Sequence, residues 1–180
     1  MAGQWRGRKL PVADVPGLRP TGDRVRETLF NWLQDSIAGS DCLDLFAGTG
    51  ALGIEALSRY AASVTFVEPH RQAHANICES LELLQHDASV LCSSAQEFLS
   101  TNQRQFDLVF VDPPFGDELQ WGILQSLLVG HVKPGALIYM ESPTYQVFPA
   151  EWPAGYAVRN EKRFGDVLAR VFRVAAVGEQ

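Results

Sequence analysis

Two short stretches carry side chains whose types and spacing can do chemistry. The first is Asp44-Leu45-Phe46-Ala47-Gly48-Thr49-Gly50-Ala51-Leu52-Gly53, an acid followed by glycines in a Gly-x-Gly-x-x-Gly pattern. Glycines leave room for a ligand to approach the main chain closely, and a turn into a helix presents backbone amides to it. Glu68 and Pro69 follow about twenty residues after Gly48, where an acid closing the second strand of such a unit accepts the hydroxyl protons of a ribose. The second stretch is Asp112-Pro113-Pro114-Phe115. Two successive prolines fix φ and supply no N–H, so this turn is stiff and offers acceptors alone, the Asp112 carboxylate and the Pro113 carbonyl.

An amino group is the partner that matches two acceptors. The lone pair of an aromatic amine is delocalised into its ring, and acceptors on both N–H bonds draw the nitrogen toward tetrahedral geometry and aim it at an electrophile. Phe115 suits stacking on a base drawn out of its helix or loop, because a paired and stacked base hides that nitrogen. The glycine spacing with Glu68 also satisfies a dinucleotide fingerprint, so on this motif alone a nicotinamide-dependent oxidoreductase stays open. Asp44 favours a different ligand: a carboxylate just before the glycines attracts an ammonium and a sulfonium and repels a pyrophosphate. Together the two stretches predict a methyltransferase that uses S-adenosylmethionine on a planar amine and needs no metal. His70, His74 and Cys78 recur every four residues, but the outer two are ~12 Å apart along a helix, too far for one zinc with ~2 Å bonds. A solvated helix face is the expectation there.

Both loops need elements to hold them. A helix is predicted from Asp23 as N-cap through Val25, Leu29, Trp32, Leu33 and Ile37, stopped by Gly39. Strand and helix then alternate: strand 42–46, helix 52–59, strand 63–67, helix 71–84, strand 89–92, helix 95–99, strand 106–111, helix 118–129 and strand 137–141. Apolar runs such as LVFV and ALIYM imply strands buried on both faces, hence a parallel sheet in a doubly wound, Rossmann-like α/β domain. Two further β-like runs between 156 and 177, joined near Arg163-Phe164-Gly165-Asp166, predict an antiparallel hairpin. One domain over 1–180 is expected, with a basic arm over 1–22 and a catalytic core over 23–180.

The chain has 180 residues, 46% apolar and 20% charged, and a net charge of −6, an ordinary globular composition that does not suit nucleic acid on its face. Its distribution does. Residues 1–26 hold Arg6, Arg8, Lys9, Arg19, Arg24 and Arg26 against Asp14 and Asp23, so the remainder is strongly acidic. A solubilising tail is the plain reading of that start. Trp5, Gly3 and Gly7 favour a flexible RNA-contacting arm instead, with Arg6, Arg8, Lys9 and Arg24 on phosphates. No apolar run has the form of a secretory signal or the ~20-residue length of a membrane span, so cytoplasm is expected. Cys42, Cys78 and Cys92, lacking C-x-x-C spacing, are expected as reduced, small core residues.

Four segments resemble the RsmD-type 16S ribosomal RNA guanine-N2 methyltransferases over nearly the whole chain. They are Arg6-Gly-Arg-Lys-Leu10, the run from Gly17-Leu-Arg-Pro-Thr21 through Asp23 to Leu33, the loop from Asp44 to Glu55, and Asp112 to Phe115. The resemblance implies a seven-stranded sheet with an antiparallel last strand, S-adenosylmethionine as donor, and one loop guanine as acceptor. It further implies that Arg19, Pro20 and Thr21 fold over the cofactor, and that Asp112, bordering the cofactor, handles the base with Phe115. Where many relatives carry an acid for the adenine amino group, this chain reads Cys92-Ser93-Ser94-Ala95, so Ser94 or a backbone group by Ala95 is expected to substitute. The Pro-Pro turn by itself suits DNA adenine or cytosine or a protein glutamine amide equally, and a non-catalytic RNA-binding module is a further alternative. With few surplus basic residues, the expected partner is 16S RNA within a small-subunit particle, met by a monomer with no membrane contact.

Overall fold

The computed structural model describes residues 1–8, 22–113, 119–146 and 155–175. Seven strands form one sheet: β1 (Asp41–Asp44), β2 (Ser63–Val67), β3 (Ser89–Leu91), β4 (Phe106–Val111), β5 (Val132–Pro143), β6 (Tyr156–Phe164) and β7 (Val167–Val174). Their order is β3-β2-β1-β4-β5-β7-β6. The pairs among β1 to β5 are parallel, while β7 runs antiparallel to both β5 and β6. The expected terminal hairpin is therefore present, turning at Gly165-Asp166.

Helices cover both faces, as strands without polar alternation require. On one face α1 (Asp23–Trp32), α2 (Ala51–Ser58) and α3 (Arg71–Leu83) bring Leu29, Phe30, Ile54, Leu57 and Ile77 onto Cys42, Phe66, Phe110 and Tyr139. On the other, α4 (Ala95–Thr101) and α5 (Leu119–Leu128) bring Phe98, Leu124 and Leu127 onto Leu43, Val109 and Ile138.

Four expectations about local structure need correction. Helix α1 ends at Trp32 rather than running to Gly39, and turns bonded to the Leu33 carbonyl carry Ile37 into the core instead. Asp35 and Ser36 are weak helix formers, and the chain must reverse there to enter β1. Asp23 is not the N-cap. Gly22 occupies that position, and Asp23 begins the helix with its carboxylate 2.5 Å from Arg26, where negative charge favours the helix dipole. Strand β5 is longer than the predicted 137–141 because pairing with β7 continues to Pro143–Val167. At its start the partners jump from Phe106–Val132 to Leu108–Leu137, so Lys133 to Ala136 bulge. Finally, Cys92 is exposed, unlike buried Cys42, because β3 lies at the sheet's edge.

The beginning of the chain is also not a free arm. Gly3–Trp5 form a 3-10 turn that lies on α2. Ala2 N donates to Glu55 Oε1 at 3.0 Å, Gln4 Nε2 to the Leu57 carbonyl at 3.0 Å, and Trp5 N to Ser58 Oγ at 3.1 Å. Ser58 Oγ in turn donates to the Ala2 carbonyl. A Cβ on Gly3 would lie 1.8 Å from the Ser58 carbonyl oxygen, so only glycine allows this approach. Trp5 is 7% exposed and meets His86 edge-on at 5.4 Å between ring centres. Arg6 and Arg8 thus leave from a fixed anchor. Trp5→Ala is expected to lower unfolding free energy by ~3 kcal/mol in urea titration; a loss below ~0.5 kcal/mol, typical of a surface site, would contradict the anchor.

Candidate active site

The two chemically informative loops emerge side by side. Asp44 pairs with Phe110 across β1 and β4, and Leu45 N donates to the Phe110 carbonyl at 3.1 Å. Neighbouring strands lie about 4.8 Å apart, so the glycine loop after β1 and Asp112 after β4 share one carboxyl edge, where open α/β sheets bind ligands.

Carboxylates shape the glycine loop. Glu68, at the end of β2, accepts Gly48 N on Oε2 and His70 N on Oε1, both at 2.8 Å. Asp44 Oδ2 accepts Gly53 N at 2.9 Å, which ties the end of β1 to the first turn of α2. Gly50 takes the left-handed conformation as the α2 N-cap, with φ +76°. The residues expected to contact cofactor divide accordingly. Gly48, Thr49 and Gly50 form the turn itself, Phe46 is half-buried, and the Ala47 amide is committed to the Val67 carbonyl. Gly53 does a different job: a Cβ there would fall 2.2 Å from the Phe66 ring, so its lack of a side chain lets α2 close on β2. Pro69 is exposed beside Glu68.

Asp44 is 2% exposed. Burial pushes its carboxyl up to about 7, against the opposing Gly53 hydrogen bond and with further help from the Glu68 charge. A nearby cation would reverse that penalty.

At the end of β4, Asp112 is half-buried and Pro113 buried. The strand register puts Asp44, Phe110 and Tyr139 on one face, and Asp112 and Glu141, each two residues further along, share it. Tyr139 donates its hydroxyl to Glu141 Oε1 at 2.6 Å. Burial first, then the Glu141 charge and hydrogen bond and the Asp112 charge, hold the Tyr139 phenol well above its ordinary range. Glu68, Asp44, Asp112 and Glu141 therefore form a row of acids across β2, β1, β4 and β5. Glu141 was missed in the sequence, although it carries the signal that marked Glu68 and Asp112, an acid at the end of a buried apolar strand.

Beyond β3, Ser94 caps α4 by accepting Glu97 N at 3.2 Å, Ser93 Oγ donates to Glu97 Oε2 at 3.1 Å, and Ala95 is buried. His70 Nδ1 accepts Ala73 N at 3.4 Å, and the His74 ring lies 3.3 Å from the Val90 carbonyl. Among the described residues no His, Cys, Asp and Glu group has the arrangement of a metal site. Arg6, Arg8 and Arg24 are exposed, with Arg8 Nη1 3.4 Å from the Leu83 carbonyl. Lys9, Arg19, Pro20, Thr21, Pro114 and Phe115 lie outside the described residues.

The strand order, the reversed β7 and the acid-flanked glycine loop define the Rossmann-like fold of class I methyltransferases. A family model described as "Conserved hypothetical protein 95" matches residues 1–173, and the chain belongs to that family. It is 46% identical to "Ribosomal RNA small subunit methyltransferase D" of Escherichia coli K12, over 99% of this chain and 91% of the relative. The protein of the same name from Haemophilus influenzae is 45% identical over 96% and 92%. The solved structure of the Escherichia coli protein yhhF superposes with a TM-score of 0.90 at 46% identity, covering 98% of this chain and 97% of that one.

The Asp44 shift has a measurable sign. Its folded value of about 7 exceeds the 3.8 of an unperturbed carboxyl, so between those values the folded state binds more protons than the unfolded state. The stability it contributes is complete below pH ~4 and is lost as pH rises to ~7. Asp44→Asn should remove this component from the pH dependence of urea unfolding without ligand; identical slopes for both proteins would refute it.

Proposed function

We propose that this chain transfers a methyl group from S-adenosylmethionine to the exocyclic N2 amino group of a guanine in small-subunit ribosomal RNA. The single observation that carries the reading is the adjacency of the carboxylate-shaped glycine loop and Asp112 at one sheet edge. The names of the full-length relatives support the same substrate class.

The donor set fits this cofactor. Glu68 uses one hydrogen bond per oxygen on backbone amides, and a carboxylate has about four acceptor positions, so it can also take the two ribose hydroxyls. Gly48 and Gly50 form the turn beside the methionine end, and Asp44 supplies negative charge beneath it. Pro69 and the backbone at Ser94 and Ala95 flank the adenine side, since the Ser94 hydroxyl already caps α4. Arg19, Pro20 and Thr21 cover the cofactor from the N-terminal segment. The bound cofactor contributes an electrophilic methyl on a sulfonium.

Asp112 and the Pro113 carbonyl each accept one N2–H bond, localise the nitrogen lone pair and hold it in line with that methyl. Phe115 stacks on the extruded base. Transfer would form one N–C bond as the donor's S–CH3 bond breaks, leaving S-adenosylhomocysteine, and the nitrogen sheds one proton along its hydrogen bond to Asp112. Arg6, Arg8, Lys9 and Arg24 meet phosphates around the target. The acidic edge suits a partner presented by a folded 16S RNA within a small-subunit particle in the cytoplasm, and the enzyme acts as a single-domain monomer.

Asp112→Ala should cut methyl transfer by about a hundredfold or more while S-adenosylhomocysteine affinity stays within about threefold, inside the ~1 kcal/mol of a single neutral hydrogen bond. Nucleoside mass spectrometry with labelled donor reads this out as N2-methylguanosine. An active variant, or label on adenine, cytosine or glutamine, would overturn the assignment. Replacing Arg6, Arg8 and Lys9 by alanine should flatten the salt dependence of RNA binding by about two to three units of slope; an unaltered slope would remove those residues from the interface.

A further inference from the structure

At the amino edge of the sheet, opposite the site just described, lies a surface cavity of about 570 Å³. Its wall includes Ser36 and Gly39 from the turn between α1 and β1, Gly135 from the β5 bulge, Asp107, and two arginines, Arg159 of β6 and Arg173 of β7. This volume is within the ~300–1,000 Å³ of small-molecule sites, but such sites are lined mostly by apolar groups. The wall here is mostly polar, which suits a hydrated, charged occupant.

The charges specify its sign. Arg173 pairs in register with Leu137 on β5 and Ala157 on β6, one bulge away from Arg159. Arg159 Nη1 reaches Ser36 Oγ at 3.5 Å. Neither guanidinium has a carboxylate within ion-pair distance among the described residues. The one acid among the described residues of the wall is already paired: Asp107 Oδ2 accepts Asp41 N at 2.9 Å and Lys133 Nζ at 2.7 Å, a lysine it shares with Asp41 at 3.1 Å. In a chain of net charge −6, Arg159, Arg173 and Lys133 against Asp107 and Asp41 leave an excess of positive charge at this pocket. Planar guanidinium forks match phosphate oxygens in pairs.

The position specifies the source. From Asp107 to the Asp112 edge, β4 runs about 17 Å at ~3.3 Å per residue, so no single nucleotide reaches from the catalytic edge to this cavity. A folded RNA does. Helix α1 lies on the same face and spans ~15 Å, with exposed Arg24 near its start and Ser36 just past its end. The helix is thus bracketed by cations at both ends.

We propose that the Arg159–Arg173 cavity holds a backbone phosphate of the substrate RNA, as a second anchor remote from the methylated base. The proposal rests on the RNA reading above and extends it to a new surface. Its test compares wild type, R159A/R173A and R159K/R173K in binding the small-subunit particle across a salt series, with S-adenosylhomocysteine affinity as the control for folding. R159A/R173A should weaken RNA binding about tenfold or more, as for lost charged hydrogen bonds, and reduce the salt slope by about 0.7 to 0.9 for the one phosphate released. R159K/R173K should keep the slope and recover part of the affinity. Unchanged affinity and slope in R159A/R173A, while wild type binds RNA, would overturn this proposal alone. Wild type that binds S-adenosylhomocysteine but no RNA would remove the RNA reading and this proposal with it. Inorganic phosphate binding that is lost in R159A/R173A, with RNA affinity untouched, would assign the cavity to a free anion and also overturn it.

Discussion

Carboxylates accepting backbone amides at the ends of β1 and β2 are the constraint on which the rest of the site depends. Glu68 on Gly48 N and Asp44 on Gly53 N tie the glycine turn and the start of α2 to the ends of β2 and β1, beside the Gly50 N–Ala47 carbonyl bond within the turn. Charged hydrogen bonds of this kind are stronger than neutral ones, and the Glu68 pair sets the shape of the turn before any ligand arrives. The same groups make the edge electronegative. An anionic dinucleotide would meet repulsion there, while a cationic sulfonium would relieve the penalty of keeping Asp44 ionised in the interior.

That arrangement creates a tension that the rest of the molecule resolves. A row of acids from Glu68 to Glu141 is a poor face to present to polyanionic RNA, yet the acceptor amine needs acceptors. The positive groups are displaced to the periphery: Arg6 and Arg8 project from the anchor on α2, Arg24 from α1, and Arg159 and Arg173 from the far edge. In the proposed function, chemistry and grip are thereby separated in space, the acids meeting a base drawn out of its stack and the cations meeting phosphates.

Much of this was readable from residue order because burial on two faces leaves a plain signature. Strands β2 and β4 have the bounds that their apolar runs imply, and the Gly48-x-Gly50-x-x-Gly53, Glu68 and Asp112 signals fall at one edge once the strand order is known. What was not readable depends on contacts between distant residues. Gly3 and Trp5 look like a flexible start until Ser58, 53 residues beyond Trp5, is seen to receive them. Gly53 looks like a ligand glycine until the Phe66 ring is found against it. Helix α1 stops early because the chain must turn into β1, which periodicity alone does not encode. Glu141 needed only the rule already applied to Glu68, whereas the Arg159–Arg173 pairing needed the β6–β7 register.

The central claim is that the acid-lined turn beside Asp112 selects a cationic methyl donor over an anionic dinucleotide. Parallel calorimetric titrations of the intact protein with S-adenosylmethionine and with NADH test it most directly. Saturable heat from the sulfonium compound and none from NADH is the predicted result; NADH binding as tightly, or more tightly, would contradict the account.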